Sequence, residues 1–243
     1  MRSVISAIAW VTGIAGLLIF GTLMVFNACV ASPVKISSRS RFLLRIVLAC
    51  FFVRVRVTGL EKIAPDERHV FMANHASFFD FFILGAYLPG LTRGMEAAEH
   101  FSWPFWGIFL RRSGMIPIER SSAAASMRSL KAAAAKVKDG ASILVLPEGT
   151  RTRDGRMQKF NRLPFTIPKD AGCDIVPVGL KGMFRLKNKL SWMLRPGPVE
   201  MHFGEPIDAE TIRETIAAGG LKALAALTRE RVAALCGENN SEQ

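Results

Sequence analysis

From Val4 to Ala31 the chain carries no charged residue, an unbroken run of 28. At 1.5 Å of rise per residue, about 20 helical residues are enough to cross a hydrocarbon core. The run is also too long for the apolar part of an ordinary leader peptide, and only Arg2 precedes it. Cys29-Val30-Ala31 offers small residues near a cleavage point, yet the length favours a retained membrane segment. Lys35, Arg39, Arg41 and Arg45 follow, then a second apolar stretch from Ile46 to Val53, then Arg54 and Arg56. That stretch is too short to span alone. Bracketed by arginines, it suits an interfacial helix whose arginines reach acidic headgroups. The basic bias after the first segment puts the rest of the chain on the cytoplasmic face of the plasma membrane. Full crossing and folding back within one leaflet both remain open.

Composition narrows the partners. The formal charge is +12 and half of the residues are apolar. Such a balance calls for anionic partners, and the apolar content favours membrane phospholipids over nucleic acid. No basic run interleaves with aromatics as nucleic-acid motifs require. Cys29, Cys50, Cys173 and Cys236 have neither metal-ligand spacing nor a disulfide framework, which fits a reducing compartment. The division expected is a membrane-anchoring pair of helices over 1–52 and one α/β domain over 53–243.

Within that domain Val53 to Val57 alternates strictly and reads as a strand. His69 to Ala73, Ser142 to Leu146, Asp174 to Leu180 and Val199 to Phe203 are further short apolar runs. Helices are expected over Phe79–Leu88, Ala123–Asp139, Asp208–Ala218 and Leu221–Leu235. Ser121 or Ser122 caps the second of these and Gly140 stops it. Alternating strands and helices predict an α/β fold, a mixed sheet flanked by helices. The polar tail Glu238 to Gln243 is expected to fray.

Two clusters of chemistry fall at the ends of predicted strands, where open α/β sheets place ligands. The first is Asn74-His75-Ala76-Ser77-Phe78-Phe79-Asp80. Imidazole is the commonest general base for a hydroxyl and works best when a carboxylate fixes its tautomer. Five residues along a regular helix would put His75 and Asp80 on different faces. They meet only if His75 lies in the strand-to-helix turn and Asp80 in the first helical turn. Asp80 would then accept from Nδ1 and leave Nε2 to take the proton, with Asn74 or Ser77 capping the helix. The second cluster is Leu146-Pro147-Glu148-Gly149-Thr150-Arg151. Gly149 lets backbone approach a ligand, Thr150 can donate, and Arg151 can grip a phosphate with two donors. Glu148 suits orienting Arg151 or binding an acceptor hydroxyl. A third piece, Gly114 to Arg120, sets another arginine after a strand, with Glu119 beside it. A base and an anion cradle together make the two halves of an acyl-transfer site.

These blocks, with Ile175-Val176-Pro177-Val178 as a fourth, stand in the order found in the glycerolipid acyltransferase family. The chain resembles its 1-acylglycerol-3-phosphate acyltransferase type from about Val57 to Pro206. The resemblance implies that His75 is the general base and Asp80 its partner. It implies that Arg120, Glu148, Gly149, Thr150 and Arg151 bind the lysophospholipid acceptor, and that Pro177 shapes the site. The acyl donor would be a thioester of coenzyme A or acyl carrier protein, with no bound cofactor, metal or acyl-enzyme. The product would be phosphatidic acid, made at the membrane in phospholipid synthesis. The chain also departs from the family. Glu119 replaces an aspartate, Ala97-Ala98 stands where a lysine precedes Glu99, and Phe160-Asn161-Arg162-Leu163 replaces Phe-Lys-x-Gly. These changes bear on the headgroup, so another lysolipid, including an acyl-amino-acid lipid, is an alternative acceptor. A non-catalytic basic membrane-binding protein is the rival from another class, but it gives no reason for His75, Asp80 and the Glu148 loop to occur together.

Overall fold

The computed structural model describes residues 2–64 and 66–237; the tail from 238 onward lies outside them. Two helices open the chain, α1 (Arg2–Val30) and α2 (Pro33–Cys50), joined by a two-residue turn. Pro33 sits in the first turn of α2, where its missing N–H leaves no helical bond unmade. The helices fold back on each other. Gly13 approaches the Phe51 ring so closely that a Cβ there would clash, and the Thr12 hydroxyl donates to Cys50 O at 2.6 Å. Only one stripe of α1 is buried, through Ala9, Gly13, Phe20, Met24 and Ala28. Its other side leaves Val11 at 71%, Leu18 at 69% and Phe26 at 68% exposure, an apolar face along about 43 Å of helix.

Three of the arginines expected to reach headgroups make bonds within the protein, while Arg54 and Arg56 on the following strand are exposed. Arg39 donates to Asn27 Oδ1 at 2.5 Å, Arg41 to Gly90 O at 2.6 Å and Arg45 to Ala86 O at 3.2 Å. Arg45 also lies over the Tyr87 ring. Arg39 joins the two helices of the hairpin, and Arg41 and Arg45 tie the hairpin to the domain.

That domain is a seven-stranded sheet in the order β1-β7-β6-β2-β5-β3-β4. The strands are β1 (Val53–Thr58), β2 (His69–Ala73), β3 (Thr92–Ala97), β4 (Ile116–Ile118), β5 (Ser142–Val145), β6 (Asp174–Lys181) and β7 (Gly197–Phe203). From β6 to β4 the neighbours are parallel, whereas β7 meets β6 antiparallel and β1 runs with β7. The sheet is therefore mixed, as expected. Between the strands lie α3 (Asp80–Tyr87), α4 (Trp106–Arg112), α5 (Ala123–Lys138), α6 (Thr166–Ala171) and α7 (Met183–Leu186), and α8 (Ala209–Cys236) closes the chain. Non-helical backbone at Gly219 and Gly220 breaks α8 at the expected junction of two helices. Ser122 caps α5 by accepting from Ala125 N.

Side chains of successive strand residues point to opposite faces. Phe71 and Ala73 join Leu144, Val176 and the hairpin in one apolar layer. Val70 and Met72 join Ile143, Ile175, α5, α6 and α8 in the other. Covered on both faces, the central strands read as continuous apolar runs.

Candidate active site

β2 ends at Ala73, and the next residue extends it by side chain alone. Asn74 Oδ1 accepts from Leu180 N at 2.8 Å while its Nδ2 donates to Leu180 O at 3.0 Å. The amide thus copies a strand residue and fixes where His75 begins, so Asn74 does not cap α3. Ser77 holds the turn that leads into α3: its hydroxyl accepts from Phe79 N at 3.3 Å, as a cap does, and donates to Lys187 O at 2.7 Å.

His75 lies in the strand-to-helix turn and Asp80 opens α3, the one arrangement in which this spacing joins them. Asp80 Oδ2 accepts from His75 Nδ1 at 2.8 Å, from Ala76 N at 2.7 Å and from Ser77 N at 2.8 Å. Asp80 is fully buried, while the His75 side chain keeps 21% exposure. Burial pushes the Asp80 carboxyl up, and the hydrogen bonds from His75, Ser77 and Ala76 oppose that shift by favouring its anion. An Nδ1–H held in this way leaves Nε2 as the proton acceptor.

The second cluster acts first on the His75 main chain. Glu148 Oε1 accepts from His75 N at 2.6 Å, across 73 residues, and Oε2 accepts from Gln158 N at 2.9 Å. Thr152 N then donates to His75 O at 3.0 Å. Both sides of the His75 residue are therefore clamped by one loop. Glu148 is 5% exposed, and burial raises its carboxyl to about 7 against the pull of those backbone donors. The expectation that Glu148 orients Arg151 or meets an acceptor hydroxyl is corrected: its oxygens serve two backbone N–H groups. The N–H groups of His75, Ala76 and Ser77 are likewise engaged, so an oxyanion must find other donors.

Gly149 turns the loop at φ +74°, a conformation suited to glycine. Asn161, in place of the family's lysine, donates its amide to Glu148 O at 3.3 Å, while its own N–H bonds Pro147 O at 2.9 Å. It pins the loop without adding a charge. Thr150 is exposed and accepts from Lys189 Nζ at 3.3 Å. Lys187 stands close enough to Arg151 that burial and that neighbouring charge both lower its ammonium. Arg151, Lys187 and Lys189 thus gather beside His75, while ion pairs form elsewhere, at Lys62–Glu205, Arg128–Glu119 and Lys181–Glu200. The two lysines escaped the sequence reading because nothing in their spacing marks them. Bonds across more than thirty residues bring their segment to the site, from Ser77 Oγ to Lys187 O and from Lys189 Nζ to Thr150 Oγ1.

Two expected residues lie farther off. Arg120 is exposed just beyond β4, three strands from β2 in the sheet order, about 14 Å at ordinary strand spacing. Pro177 is buried within β6 opposite Met72, where its carbonyl accepts from Gly204 N at 2.9 Å. Its part is in the sheet beneath the site. Among the described residues one group has metal-ligand geometry, Glu67, His69 and Asp174. It sits at the opposite end of β2 from His75.

A model of the acyltransferase family matches residues 54–181, more than half of the chain. The chain belongs to the acyltransferase family. A 1-acyl-sn-glycerol-3-phosphate acyltransferase of Pseudomonas aeruginosa is 29% identical over 171 residues, 70% of this chain and 65% of that protein. A chloroplast enzyme of the same name from Arabidopsis thaliana is 30% identical over 158 residues, 64% of this chain and 44% of that protein. A lyso-ornithine lipid O-acyltransferase of Pseudomonas aeruginosa is 30% identical over 141 residues, 58% of this chain and 52% of that protein. The chain spans about half the length of the curated relatives it matches. The crystal structure of the 1-acyl-sn-glycerophosphate acyltransferase of Thermotoga maritima shares its fold, with a TM-score of 0.83 at 21% identity. That superposition covers 100% of this chain and 99% of the other.

Proposed function

We propose that this acyltransferase moves a fatty acyl group from a thioester of coenzyme A or acyl carrier protein to the free hydroxyl of 1-acyl-sn-glycerol-3-phosphate. The observation that carries this reading is the buried Asp80 holding His75 Nδ1 at 2.8 Å, with the His75 main chain clamped by Glu148 and Thr152. His75 Nε2 takes the hydroxyl proton as the oxygen attacks the thioester carbonyl. The tetrahedral adduct then collapses, the C–S bond breaks, and the thiolate leaves with the proton that the imidazolium returns. The ester and a free thiol are the products. Arg151, Lys187 and Lys189 hold the acceptor phosphate. The hairpin keeps the site at the membrane's cytoplasmic face.

A second acceptor is favoured by one observation. Asn161 takes the place of a lysine, is uncharged, and donates its amide to Glu148 O, which thins the charge a phosphomonoester would meet. An amino-acid lipid, whose carboxylate needs fewer cations, fits that change and the name of one relative.

The test is transfer by detergent-purified protein from acyl-CoA, and separately from acyl-ACP, to a panel of lysolipids, with His75→Ala alongside. Turnover on lysophosphatidic acid, abolished in the variant, supports the first acceptor. Turnover confined to lyso-ornithine lipid selects the second. No transfer from either donor to any lysolipid, with folding intact, overturns both.

A further inference from the structure

Between α7 and β7 the chain makes an ordered loop, residues 187–195, that projects two large apolar side chains outward. Leu190 is 73% exposed and Trp192 is 88% exposed, more than any large apolar side chain of α1. The loop is built rather than slack. Asn188 Oδ1 accepts from Leu190 N at 3.0 Å, Ser191 Oγ accepts from Met193 N at 3.0 Å, and Leu194 is buried beneath them. A folded loop that holds a tryptophan and a leucine in water has a partner in view.

Its place in the molecule says which partner. Trp10 Nε1 donates to Trp192 O at 2.9 Å, and Ser6 Oγ accepts from Leu194 N at 2.9 Å. Both bonds fasten the loop to the first turns of α1. The exposed apolar face of α1 begins there, with Val4, Ile5, Ile8 and Val11. The loop's apolar tip therefore lies beside the exposed apolar face of α1, a surface suited to lipid. Lys189 and Arg195 flank that tip, both exposed, as a surface laid on anionic headgroups requires. Tryptophan is moreover the side chain that best suits the headgroup level of a bilayer. At its other end the loop accepts the Ser77 hydroxyl at Lys187 O. One short segment thus joins the lipid-facing helix to the turn that holds His75.

We infer that residues 188–193 are a second membrane contact, inserted at the headgroup level beside the catalytic turn, and that they seat the site's mouth on the lipid surface. This rests on α1 as the anchor and not on the identity of the acceptor.

The test uses the full chain with vesicles of phosphatidylcholine and phosphatidylglycerol carrying bromine at a shallow acyl position. Wild type and Trp192→Phe are compared, so that the difference reports Trp192 alone. Bromolipid should quench the Trp192 emission, and quenching should weaken in vesicles of phosphatidylcholine alone. In the Leu190→Ser/Trp192→Ser variant, turnover of long-chain lysolipid in vesicles should fall on the order of tenfold, the factor one buried apolar side chain is worth. Turnover of a short-chain, monomeric lysolipid should stay at the wild-type level. Unquenched Trp192 emission in vesicles to which the wild type binds would overturn the inference. So would an equal loss on both lysolipids. A loss seen with acyl-ACP and not with acyl-CoA would make the loop a protein-docking surface instead. Failure of the wild type to bind vesicles would remove the anchor on which the inference stands, while leaving the acyl-transfer reading untouched.

Discussion

Two groups of basic side chains in this molecule share a composition and differ in what they face. Along α2, Arg39, Arg41 and Arg45 donate to Asn27, Gly90 and Ala86, so their charges close the ends of other elements. Beside the His75 turn, Lys189 donates to Thr150 and Lys187 to Asn188 O, and burial together with the nearby Arg151 charge lowers the Lys187 ammonium. Like charges gathered by a rigid backbone repel, and an anion relieves that repulsion. The first group joins helix to helix and hairpin to domain, and the second is the one proposed above to hold the acceptor's anion. Net charge alone does not separate them, because +12 counts both alike.

The largest effect expected on the catalytic side of this contrast is at Asp80. Asp80→Asn should lower kcat by about a thousandfold or more, by releasing the wrong imidazole tautomer, with little change in acceptor KM. Steady-state kinetics with varied acceptor and thioester check it. Arg151→Ala should raise the acceptor KM by about tenfold to a hundredfold and leave the thioester KM nearly unchanged, the range of one charged hydrogen bond. Lys187→Ala and Lys189→Ala should act in the same direction by less. Equal effects on both substrates would move this group from acceptor binding to scaffolding and erase the contrast. Arg41→Ala and Arg45→Ala should leave both KM values alone and lower stability by about 1 kcal/mol each, read by thermal or denaturant unfolding.

The smallest effect sharpens the part played by Glu148. Burial raises its carboxyl to about 7, so the folded chain holds this proton more tightly than the unfolded chain does. Its contribution to stability is fully present below the ordinary glutamate range and is lost as pH rises through about 7. Glu148→Gln should therefore flatten the fall of Tm over that window relative to the wild type. It should also lower kcat, because an amide nitrogen now faces a backbone donor that the carboxylate accepted. An unchanged pH slope would place the carboxyl outside the buried clamp.

Much of this was legible because it is local. The β2 run ending at Asn74-His75, the Ser122 cap and the Gly219–Gly220 break are signals a few residues long, and each falls where the sequence puts it. The His75–Asp80 pair was readable because only one local geometry lets that spacing meet. Long-range partners were not. The 73-residue reach from Glu148 to the His75 N–H has no trace in either motif. β3 escaped notice because Arg93, Gly94 and Glu96 break any apolar run there, although Arg93 itself is buried and bonds Ser37 on α2. For the α2 arginines the sequence shows the charge and not the oxygens of Asn27, Gly90 and Ala86 that they bond.

A double-mutant cycle on kcat shows whether His75 and Asp80 work as one unit. His75→Ala, Asp80→Asn and the pair are compared in the same transfer assay, above the background of the uncatalysed reaction. The double variant should be no slower than His75→Ala alone, since an aspartate with no imidazole to orient has nothing left to contribute. Losses that multiply in the double variant would show the two residues acting independently and would contradict that expectation.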